Sequence, residues 1–340
     1  MMLRLSKCLE SISLLETNMM AIRYLLQLNV SSIKRLYLVY DSNDNAPVSD
    51  SQKVALTKFI SINTQLEWMD VELGDVDGTD FPFIPTNHPV ISKLKIVCQH
   101  TQMYYLCNEY PHNLFNKLKT LPSIQSLHFH FAESWEVEAG NHISFYDGLI
   151  ELLQQQHLAG SPITELSLDY PRHDVPQEIR FLRYLFQSQP LVDHLDYRLN
   201  GLNGIPIEFA PVIKCKVNKL VLKGRIIQKK FQGDEEEERR MIQIYQSLNN
   251  VDKIIIIGHN SFEFISGLLR YNKQSSSITI KHFGTNQNQV PQMIIDAIQD
   301  NPHLNNVKFR LSPMLRDYSN FVRALQQHPN HQSLTTKLER

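Results

Sequence analysis

The chain has 340 residues, 42% of them hydrophobic and 20% charged, with a formal net charge of -1. That composition sustains a continuous buried core and excludes an intrinsically disordered chain, and the charge balance excludes global attraction to nucleic acid or an anionic membrane. Four scattered cysteines, Cys8, Cys98, Cys107 and Cys215, exclude the dense disulfide framework of a small secreted domain and point to a reducing compartment.

Residues 2–28 carry apolar side chains at helical spacing, at Leu5, Leu9, Ile12, Leu15, Met19, Ile22, Leu25 and Leu26. The reading is an N-terminal helical cap over residues 1–32. Lys7, Glu10, Glu16 and Arg23 interrupt this stretch, so it holds no uninterrupted apolar core of a signal peptide, and its acidic residues argue against a transit peptide. The longest aliphatic run, Ile254 to Ile257, is far short of the ~20 residues a spanning helix needs. The expectation is a protein with no membrane span, located in the cytoplasm.

From residue 33 a pattern recurs, apolar-x-x-apolar-x-apolar, first at Ile33, Leu36 and Leu38. A polar loop near 41–52 follows, then a helical stretch from Val54 to Ile62 and a less regular strand near Leu66, Met69 and Val71. Residues 74–90 hold three prolines and no periodicity, which reads as an inserted loop. The pattern returns at Ile91, Leu94, Ile96; at Ile124, Leu127, Phe129; and at Ile163, Leu166, Leu168, with a helix from His142 to His157 between the last two. Further units stand at Val192, Leu195, Tyr197; Val217, Leu220, Leu222; Val251, Ile254, Ile256; Ser275, Ile278, Ile280; and Leu304, Val307, Phe309. The tail repeats its own lead-in, since RALQQHPNHQSL matches DAIQDNPHLNNV.

Successive units lie about 24 to about 39 residues apart, which suits one strand and one helix each. Neither element can bury its apolar side without the next unit stacked against it, so repetition itself supplies the core. Over about residues 30 to 335 the chain resembles the leucine-rich repeat family, in its ribonuclease-inhibitor-like branch with longer helical units. The resemblance implies an α/β solenoid, a curved horseshoe with parallel strands on the concave face and helices on the convex face, running over residues 33–340 in about nine to eleven units. The family's Asn, two residues beyond the second core position, is replaced here by Asp41, Gln99, Ala132, Pro171, Arg225, His259, Phe283 and Ser312; only Asn200 fits.

Strand alternation sorts the residues beside the core positions onto the concave face, about 4.8 Å apart from strand to strand. His128, His130, Glu165, Asp169, His194 and Asp196 form a mixed histidine and carboxylate zone. Lys219, Lys223, Lys253, Lys281, Lys308 and Arg310 form a basic ladder, with Arg198 beside it. Such a ladder attracts an acidic partner.

Other clusters read as structural. Cys98, His100, Cys107 and His112 follow no standard zinc spacing. Asp41, Asn43 and Asn45 start a calcium-like loop, but Ala46 stands where Gly is needed and Gln52 where a bidentate Glu is needed. The run DEEEERR at 234–240 is a helix start, where exposed N–H groups favour carboxylates. No phosphate loop, GxSxG elbow, dinucleotide fingerprint or zincin motif is present, so no cofactor and no metal are expected.

The resulting expectation is a non-enzymatic module that binds a protein partner with an acidic surface through Arg198, the basic ladder and His128, His130 and His194. The resemblance implies roles such as inhibitor, substrate-recognition part of a ubiquitin ligase, or bacterial effector in a host cytosol, the last suited by a composition rich in Asn, Gln, Lys and Ile. The alternatives are a hydrolase or metal-dependent enzyme using the histidine and carboxylate zone, and a phosphoinositide or nucleic-acid binder using the ladder.

Overall fold

Ile12, Leu36, Met69, Leu94, Leu127 and Leu166 stand opposite one another on six neighbouring strands, and Leu14, Leu38, Val71, Ile96, Phe129 and Leu168 do the same two residues on. All twelve side chains except that of Ile12 are buried. In this computed structural model the chain divides into two units, Met1–Tyr170 and Pro171–Arg340. The structure describes residues 9–14, 19–27, 31–40, 50–73, 83–98, 111–131, 143–170, 180–181, 183–185, 192–199, 205–206, 213–214, 216–224, 226–227, 235–257, 262–283, 290–312 and 318–338.

The first unit runs β1 (Ser11–Leu14), α1 (Met19–Gln27), β2 (Arg35–Tyr40), α2 (Asp50–Ile62), β3 (Trp68–Leu73), β4 (Lys93–Cys98), α3 (Pro111–Leu118), β5 (Ser126–Phe131), α4 (Ile143–Leu158) and β6 (Glu165–Tyr170). Its strands pair in sequence order and all in parallel. Parallel neighbours require a crossover, and a helix supplies it at every step except β3 to β4, where no helix lies among the described residues. Phe115 on α3, Phe129 on β5 and Phe145 on α4 meet with ring centroids 5.3 to 6.4 Å apart, all three essentially solvent-free. Gly148 makes room for this cluster, because a Cβ there would collide with the Phe115 ring. Gly160 takes φ +77° and ends α4, where Ser161 N–H donates to the Gln156 carbonyl and Gly160 N–H to that of His157.

The second unit contains β7 (His194–Leu199), β8 (Ile205–Pro206), β9 (Val217–Gly224), β10 (Ile226–Ile227), α5 (Glu235–Ser247), β11 (Val251–Ile257), α6 (Phe262–Tyr271), β12 (Ser277–Phe283), α7 (Gln292–Asp300), β13 (Val307–Leu311), α8 (Ser319–Gln327) and β14 (Thr335–Leu338). Strands β7, β9, β11, β12, β13 and β14 pair in that order, all parallel, and β8 pairs with β10 apart from them. The register slips once. Ile280 faces Phe309 but Phe283 faces Leu311, so two residues of β12 oppose one of β13.

The repeating strand–helix reading is therefore seen in both units, and alternate strand residues are buried, as in the pattern of β13. The irregular stretch at Leu66, Met69 and Val71 leads into and contains a full strand, and the tail's repeated lead-in covers the end of α8 and the turn into β14. Three local expectations change. Ser11–Leu14, read as helix, is a strand because its residues pair with β2. Residues 50–52 of the expected first loop belong to α2. Of the second loop, the part from Phe83 to Pro85 and His88 is buried, packed in rather than solvent-facing.

Where the sequence reading expected an asparagine beyond the strands, a polar ladder is seen instead at several of the turns leading into them. Asn63, His88, Asn272 and Asn301 lie three residues before Leu66, Ile91, Ser275 and Leu304, all buried. Asn63 accepts from Ile33 N–H with Oδ1 at 3.0 Å and gives its amide to the Phe59 carbonyl at 2.8 Å. Asn272 donates to the Leu248 carbonyl at 3.3 Å. Asn301 donates to the carbonyls of Leu269 and Asn272, each at 2.7 Å. His328 Nε2 in turn meets the Asn301 carbonyl at 2.9 Å. Each rung thus ties a turn to the unit beside it. Asn200, the one residue in the expected position, lies outside the described residues.

Candidate functional site: the polar strand face

The strand residues that do not enter the core form rows across each unit. In the first unit the rows are Arg35, Trp68, Lys93, Ser126, Glu165; Tyr37, Asp70, Lys95, His128, Ser167; and Val39, Glu72, Val97, His130, Asp169. The side chain of Asp169 lies outside the described residues. The contributions of β3 went unread in the sequence, because its core positions were the least regular. Trp68 is the consequential omission, since it is 39% exposed on a strand face. Arg35 Cζ lies 5.3 Å and Lys93 Nζ 5.8 Å from its ring centroid. A tryptophan at an open strand position between two basic ones was the available signal.

Other charges of this face are met from within. Lys95 pairs with Asp70 at 3.3 Å. Tyr37 donates to Glu72 at 2.8 Å, and that hydrogen bond, with burial and the nearby carboxylate charges adding to it, pushes the phenol up to about 12.

The expected histidine and carboxylate zone draws on both units. Within the first, Ser126 Oγ lies 2.8 Å from both His128 Nε2 and Glu165 Oε2, and His128 Nε2 is 3.7 Å from Glu165 Oε1. The serine is 3% exposed and donates its proton to Glu165, so it accepts from the imidazole. A nucleophilic serine needs the reverse, an imidazole that accepts from the hydroxyl and a carboxylate on the other ring nitrogen. His130 occupies the third row of the same strand. His194 and Asp196 belong to β7 in the second unit. Among the described residues, no three His, Cys, Asp or Glu side chains gather to hold a metal ion. The zinc-like order at Cys98 to His112 and the calcium-like start at Asp41 to Gln52 lie outside the described side chains.

In the second unit His194, Lys219, Lys253 and Ser277 form the first row, and Asp196, Val221, Ile255, Thr279, Lys308 and Thr335 the second. Arg198, Lys223, Ile257 and Lys281 form the third, and Arg310 faces Lys337 beyond the register slip. The basic ladder is therefore spread over three rows that flank Val221, Ile255 and Ile257. The side chains of Arg198 and Lys223 lie outside the described residues. Among the described residues, Lys219, Lys253, Lys281, Lys308, Arg310 and Lys337 have no carboxylate partner. An ion pair of this unit, Arg270 with Asp300 at 3.4 Å, joins two helices instead.

No described helix is long and apolar enough to cross a membrane. Comparison of the chain with known protein families and with curated protein sequences finds no match.

Proposed function

We propose that this chain is a leucine-rich-repeat-like interaction module, of the ribonuclease-inhibitor-like kind, which holds an acidic protein partner on the strand face of its second unit. One observation carries the reading: six cations gather on that face, Lys219, Lys253, Lys281, Lys308, Arg310 and Lys337, and among the described residues none of them has a carboxylate partner. Lysines set in register on neighbouring strands repel one another, and an acidic partner removes that repulsion on binding. The partly buried Ile255 and Ile257 between them supply the apolar centre that such an interface needs.

The test is affinity capture from cell lysate, read by mass spectrometry, with the wild type and a variant carrying Lys219→Glu, Lys253→Glu, Lys281→Glu and Lys308→Glu. Partners held by the wild type and lost from a variant with unchanged circular dichroism support the reading. Identical partner lists overturn it. His128→Ala in the same experiment addresses the hydrolytic alternative, which requires an activity to disappear while capture persists.

A further inference from the structure

We infer that the first unit carries a second contact centre, built on Trp68, which takes an acidic amphipathic helix of a protein partner. It extends the protein-binding reading to a different unit and different residues. Trp is the side chain that most often dominates protein interfaces, together with Tyr and Arg. Here it stands 39% exposed, with arginine and lysine on the adjoining strands leaning over its ring at 5.3 and 5.8 Å. Neither cation has a carboxylate within ion-pair distance among the described residues, the Glu10 carboxylate near Arg35 being held by Lys34 at 2.8 Å. The indole holds both in place while leaving their N–H groups able to donate, so an arriving carboxylate meets ordered donors beside an apolar plate.

Spacing selects the form of the ligand. Arg35, Trp68 and Lys93 occupy one row on three consecutive strands, so the two cations are anchored about 10 Å apart with the indole between them. An extended peptide places same-face side chains about 7 or about 13 Å apart, too near or too far. A helix places residues i and i+7 about 10.5 Å apart on one face, with i+3 and i+4 between them. A Glu-x-x-Leu-Leu-x-x-Glu helix therefore sets one carboxylate at Arg35, one at Lys93 and the leucines on Trp68.

The experiment uses the full chain with Trp135→Phe, which leaves Trp68 as the one tryptophan, and follows its fluorescence. The probes are a helical peptide with the Glu-x-x-Leu-Leu-x-x-Glu pattern, its Gln-for-Glu form, and a form with the two Glu four residues apart. The expected result is a saturable change in Trp68 emission with the first peptide, at least about tenfold weaker with either control and in Lys93→Ala. Equal binding of the Gln form, equal binding of the close-spaced form, or no saturation with any peptide overturns the proposal. So does an equal response to inorganic phosphate or a single-stranded oligonucleotide, which would mark a general anion site. Lys253→Glu leaves this titration unchanged, so failure here is distinguishable from failure of the partner surface on the second unit.

Discussion

His88 sits with Nε2 at 3.1 Å from the backbone carbonyl of Asn63, donating to it from a ring that is 4% exposed. Burial holds this imidazole below its ordinary value of 6.5, and the hydrogen bond to Asn63 opposes that shift only in part. As the pH falls through 6.5 the unfolded chain takes up a proton here and the folded chain does not. The contribution is therefore whole above that pH and is lost as the pH drops toward the depressed folded value. Urea midpoints measured across this window should fall more steeply for the wild type than for His88→Gln. Parallel curves would show that this ring does not govern the acid limb.

Asn301 fastens two preceding carbonyls and accepts from His303 N–H at 3.1 Å, at 1% exposure. Asn301→Ala strands those groups, each worth about 1–3 kcal/mol when left buried and unsatisfied. A loss of about 3 kcal/mol is expected in denaturant unfolding. The neighbouring exposed substitution Asn305→Ala should cost under about 0.5 kcal/mol. Similar values for the two would remove the ladder from any account of stability.

Gly148→Ala improves intrinsic helix propensity by about 1 kcal/mol and nevertheless should destabilise, by about 1–3 kcal/mol, because the new methyl meets the Phe115 ring. Pairing it with Phe115→Leu should recover part of the loss. A stabilised single variant, or a double variant no better than the sum of its parts, would mean the ring moves aside freely.

Tyr37 offers a readout at high pH. Its phenol ionises near 10 in the unfolded chain and at about 12 when folded, so its contribution is complete below 10 and disappears as the pH rises toward 12. Phenolate absorbance should show a tyrosine titrating near 12 that Glu72→Gln shifts back toward 10, while Tyr245, raised further by burial, stays protonated beyond it. An unchanged titration in that variant would assign the shift to burial and the Asp70 charge instead.

Much of the frame was legible because the core positions obey a fixed spacing: Leu94, Leu127 and Leu166 were read in register from sequence and pair so in space. Ser11–Leu14 was not legible, since four residues of mixed polarity become a strand only by having β2 to pair with. The ladder escaped for a related reason. Its rungs are Asn at three turns and His at others, and what they share is a pair of backbone groups to satisfy, which no residue pattern spells out. On the strand face the lysines are legible by alternation, whereas Trp68 is not, because the apolar positions of its strand are too irregular to set a register from sequence alone.

The slip between β12 and β13 divides the basic surface. Up to Lys281 the cations follow one lattice of strand and row, and past the extra residue Arg310 and Lys337 follow another, turned by the added twist that a bulge imparts. A straight, rigid ligand can be in phase with only one of these lattices. A ligand that engages both has to bend or break its own periodicity at that seam.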